Sequence, residues 1–335
     1  MIESRYLSVA PMMAATHYWG RRFLRLFHPD IKIYGEMVPA KSLIFMQNSY
    51  KKQQKLQTGP EEGYVAFQLG ASEVGEALSA AAMVVEAGFH EINLNCGCPS
   101  KAVMAGDFGA VLMKNPKKVA TIIRALSDEF PHKEFSVKCR IGVDDIDDEE
   151  FLYRFMAEII STAPAVRLFH IHARNAILKG LNPRQNRHIP PLNYQRVYAV
   201  KKKFPDRKII LNGGVASIAD IKSHLPFCDG VMIGRAAIAN PFLLAKAGGF
   251  VVDDDFYEKK LYPFLEEFDS AGVPTSAMLP FLMNMIRDNS GARTMRMELS
   301  QAVERAGRRR EKLPLLTAWQ AVKAHFSVAS GVRIA

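Results

Sequence analysis

The sequence predicts an α/β protein, a (β/α)8 TIM barrel with a small helical domain at its C-terminal side. Short apolar, β-branched segments alternate with longer helical patterns over the first two-thirds of the 335 residues, and this alternation stops near Gly248. A barrel of this kind absorbs about 250 residues as one domain. We therefore expect a barrel domain over residues 1–245 and a helical domain over residues 246–335.

Eight segments have the length and composition of strands. They are Tyr6–Ala10, Ile31–Met37, Tyr64–Leu69, Glu91–Asn95, Phe135–Cys139, Val166–His172, Lys208–Asn212 and Gly230–Gly234. The stretches between them have helical spacing, most clearly Glu73–Ala87, with Ser72 as the expected N-cap and Gly88 at the C′ position. Eight strand–helix units favour a closed parallel barrel over an open doubly wound sheet.

Helical patterns fill the C-terminal part of the chain without further strands. The predicted helical segments are Phe256–Phe268, Thr275–Arg287, Ala292–Ala306 and Thr317–Phe326. The composition, with 48% hydrophobic and 23% charged residues, is that of a folded globular protein and argues against disorder.

The net charge of +10 is concentrated in two regions. Residues 174–208 hold ten Lys or Arg against one acidic residue, and residues 287–335 hold ten against four. A basic surface does not by itself require a polyanionic partner. However, two separated basic regions fit a phosphate backbone that crosses two domains, whereas a small anionic metabolite needs only one.

The four cysteines and the absence of a signal-peptide pattern indicate the reducing cytoplasm, and no apolar run approaches the length of a membrane span. Cys96 and Cys98 are too close together for the usual zinc spacing, and no second ligand pair completes such a site. We therefore expect no metal.

In TIM barrels the working groups lie at the C-terminal ends of the strands. The glycines of Asn212-Gly213-Gly214, after the seventh strand, and of Gly234-Arg235, after the eighth, predict a phosphate site, because they let backbone N–H groups approach an anion closely. Gln68, Lys138 and His172 lie at the same ends and suggest a polar, planar ligand. The alternative for Lys138 is an outward side chain that reaches water.

Cys98 lies in a Gly-Cys-Pro turn just beyond the fourth strand. A thiol in this loop can act as a nucleophile or an acid, or it can be a small buried hydrophobe. Cys96, which lies nearer the strand, fits the buried alternative better. Cys139 is expected to face away from its inward neighbour Lys138.

These motifs resemble those of the tRNA-dihydrouridine synthase family, and most closely its A-type bacterial members. The matching stretches are Val9–Met12, Gln68–Gly70, Asn95–Ser100, Val137–Gly142, His172–Arg174, Leu181–Arg187, Ile189–Leu192, Asn212–Gly214, Val231–Arg235 and Gly291–Arg296. The Gly-Cys-Pro-Ser and Arg-Gln-Asn-Arg pieces are specific, whereas the Gly-Gly turns are not.

The resemblance implies a reaction and a set of residue roles. FMN would bind at the barrel mouth with NADPH as the reductant, and uridines 20 and 20a of the tRNA D-loop would be reduced by hydride transfer from flavin N5 to C6. Cys98 matches the acid that protonates C5. The positions that match cofactor contacts are Pro11, Met12, Met13, Gln68, Lys138, His172, Asn212, Gly213, Gly214, Gly234 and Arg235. The positions that match tRNA contacts are Asn95, Arg184, Arg187, Arg293 and Arg296.

Three other functions remain open from the residues. Another FMN-dependent barrel that reduces a small substrate would not need Arg184, Arg187 or the basic C-terminal region. A phosphosugar isomerase barrel would give Cys98 no role. A catalytically silent tRNA-binding protein would not need Cys98, Lys138 and His172 together. We expect a monomer, because both basic surfaces need exposure.

Overall fold

A computed structural model of the protein describes residues 1–46, 50–146, 148–286, 291–309 and 314–330. Within these residues, eight parallel strands form a closed barrel in chain order, and the eighth pairs with the first. The strands are β1 (Leu7–Val9), β2 (Lys32–Pro39), β3 (Val65–Gly70), β4 (Glu91–Cys96), β5 (Glu134–Arg140), β6 (Leu168–His172), β7 (Lys208–Asn212) and β8 (Gly230–Ile233). The predicted barrel and all its strands are confirmed.

Helices alternate with these strands. They are α1 (Tyr18–Phe27), α2 (Ala40–Phe45), α3 (Tyr50–Leu56), α4 (Val74–Glu86), α5 (Lys101–Ala105), α6 (Pro116–Glu129), α7 (Glu149–Thr162), α8 (Tyr194–Lys203), α9 (Ile218–His224), α10 (Arg235–Ala239) and α11 (Phe242–Gly248). The helix predicted over Glu73–Ala87 is α4, and Gly88 follows it with a φ of 92°. The predicted N-cap Ser72 is wrong. Glu73 takes that position, because its carbonyl accepts the first helical hydrogen bond, from Ala77 N.

The chain forms two compact units. The barrel unit consists of Glu3–Tyr18 and Asp30–Gly234, and the helical unit of Met1–Ile2, Trp19–Pro29 and Arg235–Ala335. The sequence placed a domain boundary between residues 245 and 246, and that boundary stays a prediction about where a tRNA-binding domain begins.

The helical unit contains the C-terminal helices. They are α12 (Asp254–Phe256), α13 (Tyr262–Ser270), α14 (Leu279–Met285), α15 (Ala292–Arg309) and α16 (Leu315–Ser330), with a π-helical turn at Tyr257–Leu261. These match the predicted helical segments, although Arg287, the predicted end of the second segment, lies outside the described residues. Phe23 packs against Phe264 and Phe281, with ring centroids 6.2 and 5.2 Å away, so aromatic contacts form the core of this unit.

The interior of the barrel has one apolar part and one polar part. Its apolar cluster consists of Ala10, Tyr34, Ala66, Ile210 and Met232. Its polar part includes five strand residues that are at most 1% exposed, namely Gln68, Glu91, Asn93, Ser136 and His170. Burying a polar group is costly unless it is hydrogen-bonded, so these residues indicate a network of hydrogen-bonded side chains inside the barrel.

None of the helices in the described parts of the chain combines the length and the hydropathy that a membrane crossing requires.

Candidate active site at the carboxyl end of the barrel

Cys98 lies in the loop that follows β4, and side-chain hydrogen bonds shape this loop. The Asn95 Oδ1 atom accepts hydrogen bonds from Gly97 N at 3.1 Å and from Cys98 N at 3.0 Å. The Cys98 carbonyl accepts from Ala110 N at 2.9 Å, and Ser100 caps α5 through Val103 N. Cys98 is a free, partly exposed thiol, so the loop presents it to solvent at the C-terminal end of the strand.

Lys138 lies at the same end of the barrel and has an inward partner. Its Nζ atom donates to Asn212 Oδ1 at 3.0 Å, and Asn212 Nδ2 donates to Met232 O at 2.8 Å. Because of burial first and the nearby Arg140 cation second, the pKa of Lys138 is lowered to about 8. The inward orientation is therefore correct, and the side chain does not reach outward to water.

Arg140, two residues further along β5, bonds to the loops that follow β4 and β6. Its Nε atom donates to Gly97 O at 2.9 Å, and its Nη1 atom donates to Asn175 O at 2.8 Å. Burial lowers its pKa to about 10, and the nearby Cys98 opposes this shift. Arg140 was not among the predicted site residues, although the matching stretch that begins at Val137 includes it.

Two glycine turns could hold a phosphate. Gly213 and Gly214 have φ values of 114° and 76°. A Cβ atom on Gly214 would overlap the Tyr194 hydroxyl and lie 2.7 Å from Leu192 Cδ1, and one on Gly213 would lie 3.3 Å from the His172 ring. Both positions therefore require glycine. Gly234 ends the barrel unit, and open space surrounds the position where its Cβ would lie.

The loop after β1 contains the predicted cofactor residues Pro11, Met12 and Met13. Met12 N donates to Thr16 Oγ1 at 2.9 Å, and Ala14 N donates to the buried Glu36 carboxylate at 2.5 Å. Met13 is 64% exposed. No pattern in the sequence pointed to Glu36, which lies beside a β-bulge in β2.

Gln68 and Asn95 are both buried and bonded to each other, with Asn95 Nδ2 2.7 Å from Gln68 Oε1. Three further polar residues beneath them were also missed, namely Glu91, Asn93 and Ser136. Their signal is present in β4, where Glu91, Asn93 and Asn95 alternate with apolar residues in a strand that is buried throughout.

Arg184 and Arg187 are exposed beside a short 3-10 helix, Gln185–Arg187. Between them, Asn186 is fully buried. Its Nδ2 atom donates to Ile177 O at 2.9 Å, and its Oδ1 atom accepts from Ile177 N at 2.7 Å. The buried asparagine therefore anchors the loop while both arginines face solvent. In the helical unit, Arg293 and Arg296 are exposed on α15.

The other cysteines are buried. Cys96 and Cys139 are register partners on β4 and β5, and burial raises the pKa of the Cys139 thiol to about 12. Cys139 faces away from the barrel interior, as predicted. Over the described ranges, no group of three or more His, Cys, Asp or Glu side chains could hold a metal ion.

A surface cavity of about 280 Å³ lies away from these residues. It is lined by Tyr198, Lys201, Lys202, Pro226, Phe227 and Cys228. These residues precede β7 and β8, so the cavity lies at the amino ends of the strands and is not part of the candidate active site.

A thiol, an ammonium group and two glycine turns at the carboxyl ends of a closed parallel barrel define a (β/α)8-barrel enzyme. The family model described as "Dihydrouridine synthase (Dus)" matches residues 8–323. The chain belongs to the dihydrouridine synthase family.

Curated relatives agree with this membership. The tRNA-dihydrouridine(20/20a) synthase of Xylella fastidiosa is 38% identical over 90% of this chain and 90% of its own. The enzyme of the same name from Vibrio vulnificus is 38% identical over 92% and 94% of the two chains, and that of Escherichia coli 39% over 90% and 87%. Among solved structures, a morphinone reductase mutant shares the fold, with a TM-score of 0.50, 11% identity and coverage of 72% and 87%.

Proposed function

We propose that the protein reduces uridine to 5,6-dihydrouridine in the D-loop of tRNA, at positions 20 and 20a. Family membership and the names of the relatives support the reaction and the positions. The observation that carries the proposal is the Cys98 thiol, which the Asn95 side chain holds at the barrel mouth beside the cations of Lys138 and Arg140.

The residues at the mouth fit FMN, with NADPH as the reductant. Gly213 and Gly214 lack side chains in a turn where a Cβ atom would crowd its neighbours, so their backbone can approach a phosphate closely. Open space lies beside Gly234. Among the described residues no carboxylate pairs with Lys138, so its ammonium group is available to an anionic ring edge. When bound, FMN would supply the hydride that N5 delivers to uracil C6.

The chain's own residues would hold this ligand in three groups. Asn212, Gly213, Gly214, Gly234 and Arg235 would grip the phosphate. Lys138 and His172 would contact the ring system, and Pro11, Met12, Met13 and Gln68 would line it.

Cys98 would hold the proton that uracil C5 receives. The thiol is the general acid, and the positive charges of Lys138 and Arg140 would stabilise the thiolate that remains. The uracil must leave its stack to reach the mouth, which costs a few kcal/mol that contacts elsewhere on the tRNA offset.

Exposed arginines would supply those contacts. Phosphates would be bound by Arg184 and Arg187 in the barrel unit and by Arg293 and Arg296 in the proposed tRNA-binding domain of residues 246–335. Asn95 would also contact the tRNA. We further propose that the protein is cytoplasmic, since its relatives are bacterial enzymes named for tRNA. We also propose that it is a monomer, because both basic regions need exposure to bind tRNA.

Single-turnover kinetics of Cys98→Ser would test the role of the thiol. The variant should bind FMN and accept electrons from NADPH within about twofold of the unmodified protein, while reduction of tRNA uridine slows by roughly 10²–10⁴-fold, the range for loss of a general acid. Cys228→Ala, in a buried thiol away from the mouth, is the matched control. Loss of bound FMN from Cys98→Ser would make the thiol structural, and unchanged uridine reduction would exclude it as the acid.

A further inference from the structure

A column of buried polar side chains runs through the barrel beneath the Cys98 loop. Glu91, Asn93, Ser136 and Gln68 are at most 1% exposed, and Asn95 is 8% exposed. The parallel register places Gln68 beside Asn93 and Asn93 beside Ser136 on three consecutive strands. Glu91 lies two residues before Asn93 on β4, and Asn95 lies two residues after it. The column therefore leads from the amino end of β4 to its carboxyl end.

The amino end of the column is the side chain of Glu91, whose oxygens accept from its neighbours. The Glu91 carboxylate forms an ion pair with Lys32 Nζ at 2.7 Å and accepts a hydrogen bond from the Tyr34 hydroxyl at 2.9 Å. The Ser136 hydroxyl also donates to this carboxylate. Since a serine hydroxyl has one proton, Ser136 Oγ can only accept a hydrogen bond from its next neighbour.

The orientation of Ser136 determines that of the Asn93 carboxamide, which in turn determines that of Gln68. Asn93 must present Nδ2 to Ser136 Oγ, at 2.6 Å, so its Oδ1 faces Gln68. Gln68 must then present Nε2 to Asn93 Oδ1, at 2.7 Å, and its Oε1 faces Asn95 Nδ2 at 2.7 Å. A reversed amide at any position would bring two oxygens or two NH₂ groups together.

The carboxyl end of the column demands the same polarity. Asn95 Oδ1 accepts from the backbone N–H groups of Gly97 and Cys98, which can only donate. A carboxylate at one end and two N–H groups at the other are therefore joined by three carboxamides and one hydroxyl with no mismatch. Such a network fixes one arrangement, because every alternative leaves buried polar atoms unsatisfied.

We propose that Asn93 and Ser136 are positioning residues, which pass the polarity of the Glu91 carboxylate to Gln68 and Asn95 and thereby hold the Cys98 loop in its working geometry. The inference rests on the proposed function for its effect on uridine reduction. Its effect on the loop is independent of that function. Neither residue touches the reacting atoms, because both are fully buried below the mouth.

Ser136→Ala and Asn93→Asp interrupt the column in different ways. The first removes the hydroxyl that joins Asn93 to Glu91, and the second keeps the shape of the side chain while it removes the NH₂ donor. Ser127→Ala is the matched control, since Ser127 is also buried and bonds only within its own helix α6 among the contacts that the structure gives it.

Alkylation by iodoacetamide of the native protein, followed by peptide mass spectrometry, reports on the loop without reference to catalysis. The other three cysteines are buried, so the alkylation rate of the folded protein reports on Cys98. We expect both variants to change the Cys98 rate by about threefold or more and to slow single-turnover uridine reduction by roughly tenfold, the scale of one buried hydrogen bond. FMN content should match that of Ser127→Ala, while the thermal midpoint should fall below it, because each change leaves a buried polar group without its partner.

Cys98 alkylation and uridine reduction equal to those of Ser127→Ala would overturn the inference. So would the failure of both variants to fold while Ser127→Ala folds, since the column would then be structural. If the unmodified protein makes no dihydrouridine, the proposed function fails. The alkylation rates then still decide whether the column positions the loop.

Discussion

Lys138 shows how a single buried cation makes the protein sensitive to pH. Its pKa of about 8 lies below the ordinary value near 10.5 because burial and Arg140 both disfavour the charged form. Between these two values the unfolded chain binds a proton that the folded chain does not. The free energy of unfolding therefore rises as the pH increases from about 8 to about 10.5, by at most about 3 kcal/mol.

Urea unfolding of the FMN-free protein across this pH range measures the effect. Lys138→Met should lack the rise, while Lys117→Met, in an exposed lysine, should keep it. Equal pH dependence in the unmodified protein and Lys138→Met would show that another group titrates in this window.

Gly214 carries a second prediction at the residue scale. Gly214→Ala places a Cβ atom against Tyr194 and Leu192 at a φ of 76°, so both strain and overlap follow. Gly88→Ala is the matched control, because its φ of 92° imposes strain while nothing lies within 4 Å of the added atom. We expect the control to cost about 1–2 kcal/mol of unfolding free energy and Gly214→Ala to cost roughly 1–3 kcal/mol more.

FMN titration separates stability from binding at this position. Gly214→Ala should lower FMN affinity by about tenfold or more, as displacement of a phosphate turn would. FMN affinity equal to that of Gly88→Ala would place the phosphate elsewhere.

Single elements were predictable where local pattern decides them. The strands were found because β-branched runs end at turn residues such as Gly70 and Gly213, and α4 was found because its apolar residues recur at helical spacing. The N-cap of α4 was misplaced by one residue, since Ser72 and Glu73 are adjacent and only the backbone shows which carbonyl starts the helix.

Contacts that depend on register were not predictable. Arg140 reaches Gly97 O, 43 residues earlier in the chain, and Glu36 reaches Ala14 N, 22 residues earlier. The grouping of Trp19–Pro29 with the C-terminal helices is likewise a long-range feature. Pattern and propensity describe neighbours in the sequence, so they locate the strands but not the pairs that barrel closure brings together.

The loop that contains Arg184 and Arg187 depends on one buried side chain, that of Asn186. Asn186→Ala removes an amide that bonds to the backbone at Ile177, Leu181 and Asn182, and it leaves those groups without that partner. Trypsin should then cleave after Arg184 and Arg187 at least about tenfold faster, because local opening of the loop becomes easier. Ile189→Ala, in an exposed residue of the same loop, is the control, and equal cleavage rates in the two variants would mean that other contacts hold the loop.

At the scale of the whole molecule, the two basic regions are its most prominent electrostatic feature. Residues 174–208 and 287–335 each carry ten basic side chains. Phosphate binding releases counterions, so each lost contact lowers the salt dependence of binding by somewhat less than one unit of slope.

The double variant Arg293→Ala, Arg296→Ala tests the second region. tRNA affinity should fall and the slope of log Kd against log salt should decrease by about 1–2 units, while NADPH-driven flavin reduction is unchanged. The control removes the same charge from exposed Arg124 and Arg154 on α6 and α7. Equal slopes in the two double variants would remove α15 from the tRNA interface.

Nucleoside mass spectrometry of unmodified tRNA transcripts, incubated with the purified protein, FMN and NADPH, tests the central claim most directly. We predict that uridines at positions 20 and 20a of the D-loop gain two mass units, and that the gain is at least about 100-fold slower with Cys98→Ser. FMN-loaded protein that reduces no uridine in transcripts from several sources would contradict the claim and would favour reduction of a small substrate instead.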